Sequence, residues 1–305
     1  MEETTLAKVY KYINNFKEVL DFLSFHNFEM PSFLSYRHLW LSITPGINSS
    51  IKTLDAIKKL IEINDFIDAY VLIRKLRDNL LFDCVIAQDA ESNHPELTDD
   101  FFKPFLNENN GFDLSKLEAA LDRFVLANTI YEIDNEDKDR IEKWRKNNVR
   151  YKNGEKDKWI GYYEFKCKLE TNLNILEINR KYLDKHLSFL QKQTNSYVHT
   201  LSFEYSNNYS KTNKEHLECI YSLLRIIKFT LISYLMLIKS RLFASADYTD
   251  YLECGVEPPE GSQYWIAPLI SDVLAEIKGV NKGLYHYLKE NNTNCMVFEE
   301  TVPDA

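Results

Sequence analysis

Residues 215–243 read EHLECIYSLLRIIKFTLISYLMLIKSRLF, and they decide the fold. The run far exceeds an ordinary strand of about five or six residues, and its apolar positions keep the three- and four-residue spacing of a helix. Phe229 to Ile238 carries no charge and is bracketed by Lys228 and Lys239. That stretch is half of the about 20 apolar residues needed to cross a bilayer. It therefore predicts a buried helix centre, with no membrane span, in the middle of an all-α bundle.

The same spacing extends outward in both directions, and strict alternation over six or more residues is scarce. Residues 164–198 form a second amphipathic run through Leu169, Leu173, Leu183, Leu187 and Leu190, either one helix or two broken near Asn179. Residues 65–88, DFIDAYVLIRKLRDNLLFDCVIAQ, form a third, with Asn64-Asp65 as its cap. Shorter patterns predict helices over 4–25, 50–63, 114–130 and 268–290, and Pro45-Gly46 reads as a turn. Residues 132–158, 200–211 and 245–267 read as a charged connector, a polar loop and a Gly/Pro-containing loop. The expectation is one large helical domain over 1–305, an antiparallel bundle with its core in 50–245. A loop-containing acidic elaboration over 246–305 follows it.

Composition narrows the function classes. Five cysteines, an odd number without a CxxC pair, suggest neither a disulfide framework nor a zinc knuckle and fit a reducing compartment. The first residues, MEETTLAKVYKYINNF, are acidic where a secretory leader is basic, so the expected location is the cytoplasm. Net charge is −9, which argues against indiscriminate nucleic-acid binding. From Ala246 onward eleven acids face three lysines, so the tail carries −8 of that charge. It is a candidate surface for a protein partner. Residues 138–158 hold nine basic side chains against four acids, either a solvated face or a phosphate-contacting patch.

The sequence contains no GxxxxGK[ST], GxGxxG, GxSxG or HExxH, which removes P-loop, Rossmann, α/β-hydrolase and zincin chemistry. The seven histidines lack metal-ligand spacing, so neither a metal nor a cofactor is expected. Two constellations remain. In YLDKHLSFLQKQTNSYVHT, Asn195 and His199 stand one helical turn apart. His199 either caps the helix C-terminus, where the dipole favours an imidazolium, or works as an acid/base beside the amide. On the 65–88 helix, Arg74 and Arg77 with Asp78 interrupt an apolar face. Charge there costs stability unless it is paired or used, and the Arg74–Asp78 spacing suits an ion pair that fixes helix register.

Around His199 the chain resembles the HEPN superfamily of bacterial all-helical defence and toxin proteins, whose ribonucleases carry an Arg-polar-x3 to x5-His motif on a late bundle helix. His199 matches the histidine, and Asn195 the polar position at the shortest spacing. The arginine is absent: Lys192 stands seven before His199, with Gln193 then the polar residue, and a lysine lacks the bidentate phosphate contact of an arginine. The helix carrying Arg74, Arg77 and Asp78 is similar to an earlier bundle helix of HEPN-like proteins. The resemblance implies a homodimer that cleaves RNA without metal, in phage defence or as a toxin with its antitoxin. His199 and Asn195 would be catalytic there, and Arg74, Arg77 or Lys192 would bind phosphate. The alternative it leaves open is a non-catalytic helical module that binds a protein partner or a nucleotide.

Overall fold

The computed structural model describes residues 2–25, 44–93, 103–106, 111, 113, 166, 169–198, 211–238, 254–257 and 268–292. Among these no strand occurs, and the chain is all-α. In chain order the helices are α1 (Glu2–Phe25), α2 (Thr44–Glu62), α3 (Phe66–Asn93), α4 (Leu173–Ile178), α5 (Asp184–Val198), α6 (Asn213–Leu237), α7 (Pro268–Val280) and α8 (Lys282–Asn291). The helix expected over 114–130, the 132–158 connector and most of the 245–267 segment lie outside the described residues.

Helix α6 is the axis of the fold. It starts on a capping box: Thr212 Oγ1 accepts from the Glu215 amide, and Glu215 Oε2 accepts from the Thr212 amide at 2.8 Å. These bonds satisfy amides that a helix start otherwise leaves open. Beyond Ile226 every described residue of the helix is buried. By length and composition α6 could cross a membrane, yet 83% of its most apolar window is buried within the protein. Its apolar surface is taken up by α1, α3, α5 and α7, which all pack on it. Large rings fill the space between them, with Phe16, Tyr70, Tyr197 and Tyr234 all but inaccessible.

Helices α2 and α3 form an αα-hairpin. Asn64 takes the left-handed conformation at the end of α2, φ 58°, a position that suits Asn nearly as well as Gly. The expected cap follows, with Asp65 Oδ1 accepting from the Asp68 amide at 3.2 Å. Three expectations change. Pro45-Gly46 is not a turn but part of the first turn of α2, where proline loses nothing because that N–H has no helical partner. Gly46 is there for room: a methyl carbon on residue 46 would overlap the carboxylate of Asp83 on α3. Near Asn179 the helix neither breaks nor runs on unchanged but passes through a π-helical turn, Asn179–Leu183, between α4 and α5. Buried Asn179 anchors that turn, accepting from Tyr234 Oη of α6 at 2.8 Å. The expected last helix is two, because Asn281 leaves helical geometry and caps α8, its Oδ1 accepting from the Leu284 amide at 3.0 Å.

Candidate functional site

Arg74, Arg77, Asp78 and Asn195, singled out in the sequence, lie on the two helices of one seam, where α3 packs against α5. The two helices run antiparallel. Tyr70 of α3 stacks on Tyr197 of α5, ring centroids 4.1 Å apart, while further along α3 Arg77 and Leu81 share a cavity wall with Leu187 and Leu190. That cavity of about 20 Å³ holds no more than one water. The register sets Arg74 at the level of the last two turns of α5.

Which side of the seam each residue takes follows from helix geometry. Around α3, Phe66 and Tyr70 turn inward to His216 of α6. Arg74 and Asp78, one and two turns after Tyr70, come round on the outer side. Around α5, Gln193 faces α6, where Cys219 Sγ approaches its Oε1 at 3.8 Å. Leu190, Thr194 and Leu187 follow in angular order, and Gln191 and Asn195 lie beyond them. Because the helices are antiparallel, both outer pairs emerge on the same face, away from α6. Arg74 and Asp78 thus lie along one edge of this face, and Gln191 and Asn195 along the other.

The charges on this face are unequally paired. Arg77 is 4% exposed and is committed to Asp78, with Nη2 at 2.8 Å and Nε at 2.9 Å from Oδ1. Arg74 approaches the other carboxylate oxygen only to 4.0 Å, a contact too long for a hydrogen bond. Its side chain is 28% exposed, and its Nη1, like the Nη1 of Arg77, is buried with no hydrogen-bond partner. Two guanidinium groups therefore share one carboxylate, and Arg77 has the better of it. Asn195 is half-buried and Lys192 exposed, Lys192 pointing further round α5. No hydrogen bond joins Asn195 to Arg74 or Arg77 among the described residues. His199 lies outside the described residues, and α5 ends one residue before it.

Two polar clusters were not visible in the sequence. On the inner side of the seam, Tyr70 Oη and His216 Nδ1 are 3.2 Å apart, and the imidazole stacks on Phe66 at 4.9 Å. Burial, then the charge of Lys211, holds the His216 pKa below its usual value, so a neutral ring is favoured. Burial also pushes the Tyr70 and Cys219 groups up, away from ionisation. The second cluster joins α1, α6 and α7. Lys228, 1% exposed, reaches Glu276 Oε2 at 2.9 Å and Asn15 Oδ1 at 3.0 Å and lies 4.1 Å over the Tyr12 ring. Arg225 takes Glu276 Oε1 at 3.0 Å. No group of three or more His, Cys, Asp or Glu among the described residues is arranged to hold a metal ion.

No family model matches the chain, and neither a curated protein nor a solved structure matches it.

Proposed function

We propose that the chain works through the outer face of the α3–α5 seam as a HEPN-like, metal-independent endoribonuclease, in bacterial defence or as a toxin, and that it acts as a homodimer in the cytoplasm. His199 is the acid/base in this reading and Asn195 orients it or the phosphate. The observation that supports it is the common face of Arg74 and Asn195, on which a cation of an earlier helix and the polar residue one turn before His199 both lie. An arginine in that place supplies the fork that Lys192, on the same helix as Asn195, lacks. Arg77 serves the fold by holding Asp78.

The test is to incubate the purified protein with RNA in EDTA, beside His199→Ala. Cleavage that survives the chelator and disappears in the variant is expected, as is growth arrest on expression that the same substitution relieves. Equal cleavage by both proteins, or none by either, refutes the assignment. A second reading, a non-catalytic module that binds a protein partner or a nucleotide, is favoured by one observation: the motif arginine position is empty and Arg77 is spent on Asp78.

A further inference from the structure

We propose that an open pocket along α4 and the π-helical turn is the docking site for the acidic segment that follows α8 in the same chain. Met296-Val297-Phe298 lie on Leu173 and Leu176, and Glu299-Glu300 face Arg180 and Lys181. The proposal is independent of the nuclease reading, since none of the residues named there takes part.

The pocket has a volume of about 290 Å³ and is lined by Leu173, Leu176, Glu177, Arg180 and Lys181. One end of it is apolar. Leu173 is 78% exposed, more than any other large apolar side chain among the described residues, and Leu176 is half-buried beside it. The other end is cationic, with Arg180 and Lys181 both exposed on the π-helical turn. Turns of that kind recur at functional sites. An apolar contact followed by a pair of cations fits a segment that offers large apolar side chains and then carboxylates.

Such a segment begins next to the pocket. Asn281 Nδ2 donates to the Tyr182 carbonyl at 3.3 Å, and Tyr287 Oη donates to Glu177 Oε2 at 3.1 Å and to Asn174 Oδ1 at 3.4 Å. Residue numbers therefore rise along α8 as they fall along α4, and Asn291, one turn beyond Tyr287, ends α8 at the level of Leu173. Residues 293–305, TNCMVFEETVPDA, lie outside the described residues and hold three acids and no lysine or arginine. A chain that reverses over 293–295 meets Leu173 first and the cations last, the order in which it presents its apolar triplet and its two glutamates. The lengths agree: Leu173 to Arg180 is a rise of about 10 Å along a helix, and Val297 to Glu300 spans about 10 Å when extended. Glu177 sets a limit, because its charge stands between the two ends and opposes the incoming acids. Exposed ion pairs add little, so the apolar contact holds the segment and the charges set its direction.

Limited chymotrypsin digestion of the full chain, with mass spectrometry following the cut after Phe298, tests this. A synthetic 293–305 peptide supplies the unprotected rate. Cleavage of a docked segment tracks the population of its open state, so Phe298 should be cut about tenfold or more slowly in the chain than in the peptide. Arg180→Glu/Lys181→Glu sets like charges together and should remove most of that protection, as should Leu173→Ser. Circular dichroism checks that these variants fold, and Val297→Asp, a change in the segment alone, should remove protection whether or not they do. Adding Glu299→Lys/Glu300→Lys to Arg180→Glu/Lys181→Glu, against a peptide with the same change, should restore it, and salt should weaken protection in the unaltered chain. A Phe298 rate equal to that of the peptide, or protection indifferent to every one of these substitutions, overturns the proposal. Protection that rises with protein concentration overturns it as well, because the segment then docks on a second copy.

Discussion

Replacing Glu276 with Gln should destabilise the protein by about 2–3 kcal/mol, whereas replacing its partner Lys228 with Met should be nearly neutral. Lys228 Nζ has three neighbours: Glu276 Oε2 at 2.9 Å, Asn15 Oδ1 at 3.0 Å and the face of Tyr12 at 4.1 Å. Removing one partner of a buried ion pair costs about 3–5 kcal/mol, because the other charge stays behind. Glu276 is 20% exposed and a glutamine keeps an acceptor in place, so the cost falls at or just below the bottom of that scale. Lys228 itself is held below its ordinary pKa, with burial as the largest cause, despite the Glu276 carboxylate beside it. Desolvation therefore outweighs pairing at that nitrogen. A folded pKa below the unfolded one means that the lysine charge costs stability below the folded value, a penalty that fades as pH rises toward 10.5. Methionine removes the charge and fills similar volume, and it leaves Glu276 its contact with Arg225 at 3.0 Å. Urea unfolding followed by far-ultraviolet circular dichroism measures both variants, and the double variant should lie nearer to Lys228→Met than to Glu276→Gln. A Glu276→Gln cost below about 0.5 kcal/mol, within the range of an ordinary surface change, would refute the reasoning, as would a Lys228→Met cost above that of Glu276→Gln.

Three further outcomes follow from the same structure. Gly46→Ala drives a methyl group into the Asp83 carboxylate and should cost about 1–3 kcal/mol; combining it with Asp83→Ala should recover part of that loss, and strictly additive costs would count against the close approach. Tyr234→Phe removes the 2.8 Å bond to Asn179 at the π-helical turn and should cost about 1–2 kcal/mol in denaturant unfolding, against no change if the turn is held by packing alone. Acid should weaken the fold through His216 and His186, both held below their ordinary pKa, with burial the leading cause. A folded pKa below the unfolded 6.5 means that the unfolded chain takes up the proton first, so stability falls as pH drops below about 6.5, by at most about 1.4 kcal/mol per unit for each ring. The loss ends below the folded values. His216→Gln should flatten part of that slope, and an unchanged profile between pH 5 and 7 would count against a buried neutral ring.

How much of this could be read from sequence depends on how far apart the interacting residues are. Helix α6 was legible because its apolar pattern is local and long, and Asp65 because a cap acts within one turn. The i,i+4 relation of Arg74 and Asp78 was legible for the same reason. Asp78's stronger partner, its own neighbour Arg77, was not, since adjacent residues point to different sides of a helix and only the packed side chain shows the reach. Pro45-Gly46 misled because a Pro-Gly pair marks turns when nothing else acts on it, and here Asp83 on another helix acts on it. Lys228 read only as the end of an apolar run, for its carboxylate is on α7. Tyr70 and His216 stand 146 residues apart, with no local sign that they would meet.

The two places where a pair of cations shares one acid show why charge counting cannot separate structure from site. At Glu276 each carboxylate oxygen has its own cation at about hydrogen-bond distance, 3.0 Å and 2.9 Å, and Lys228 has two further neighbours. That cluster joins α1, α6 and α7, and even there Arg225 Nε is buried with no hydrogen-bond partner. At Asp78 the sharing is lopsided: one guanidinium takes one oxygen twice, and the other stands 4.0 Å from the remaining oxygen, while the Nη1 of each is buried with no hydrogen-bond partner. A buried guanidinium nitrogen with no hydrogen-bond partner thus occurs at Arg74, Arg77 and Arg225 alike, so it does not by itself set a site apart from a structural cluster. RNA cleavage lost in Arg74→Gln but kept in Lys228→Met, with both variants folded, is the outcome that would separate the two.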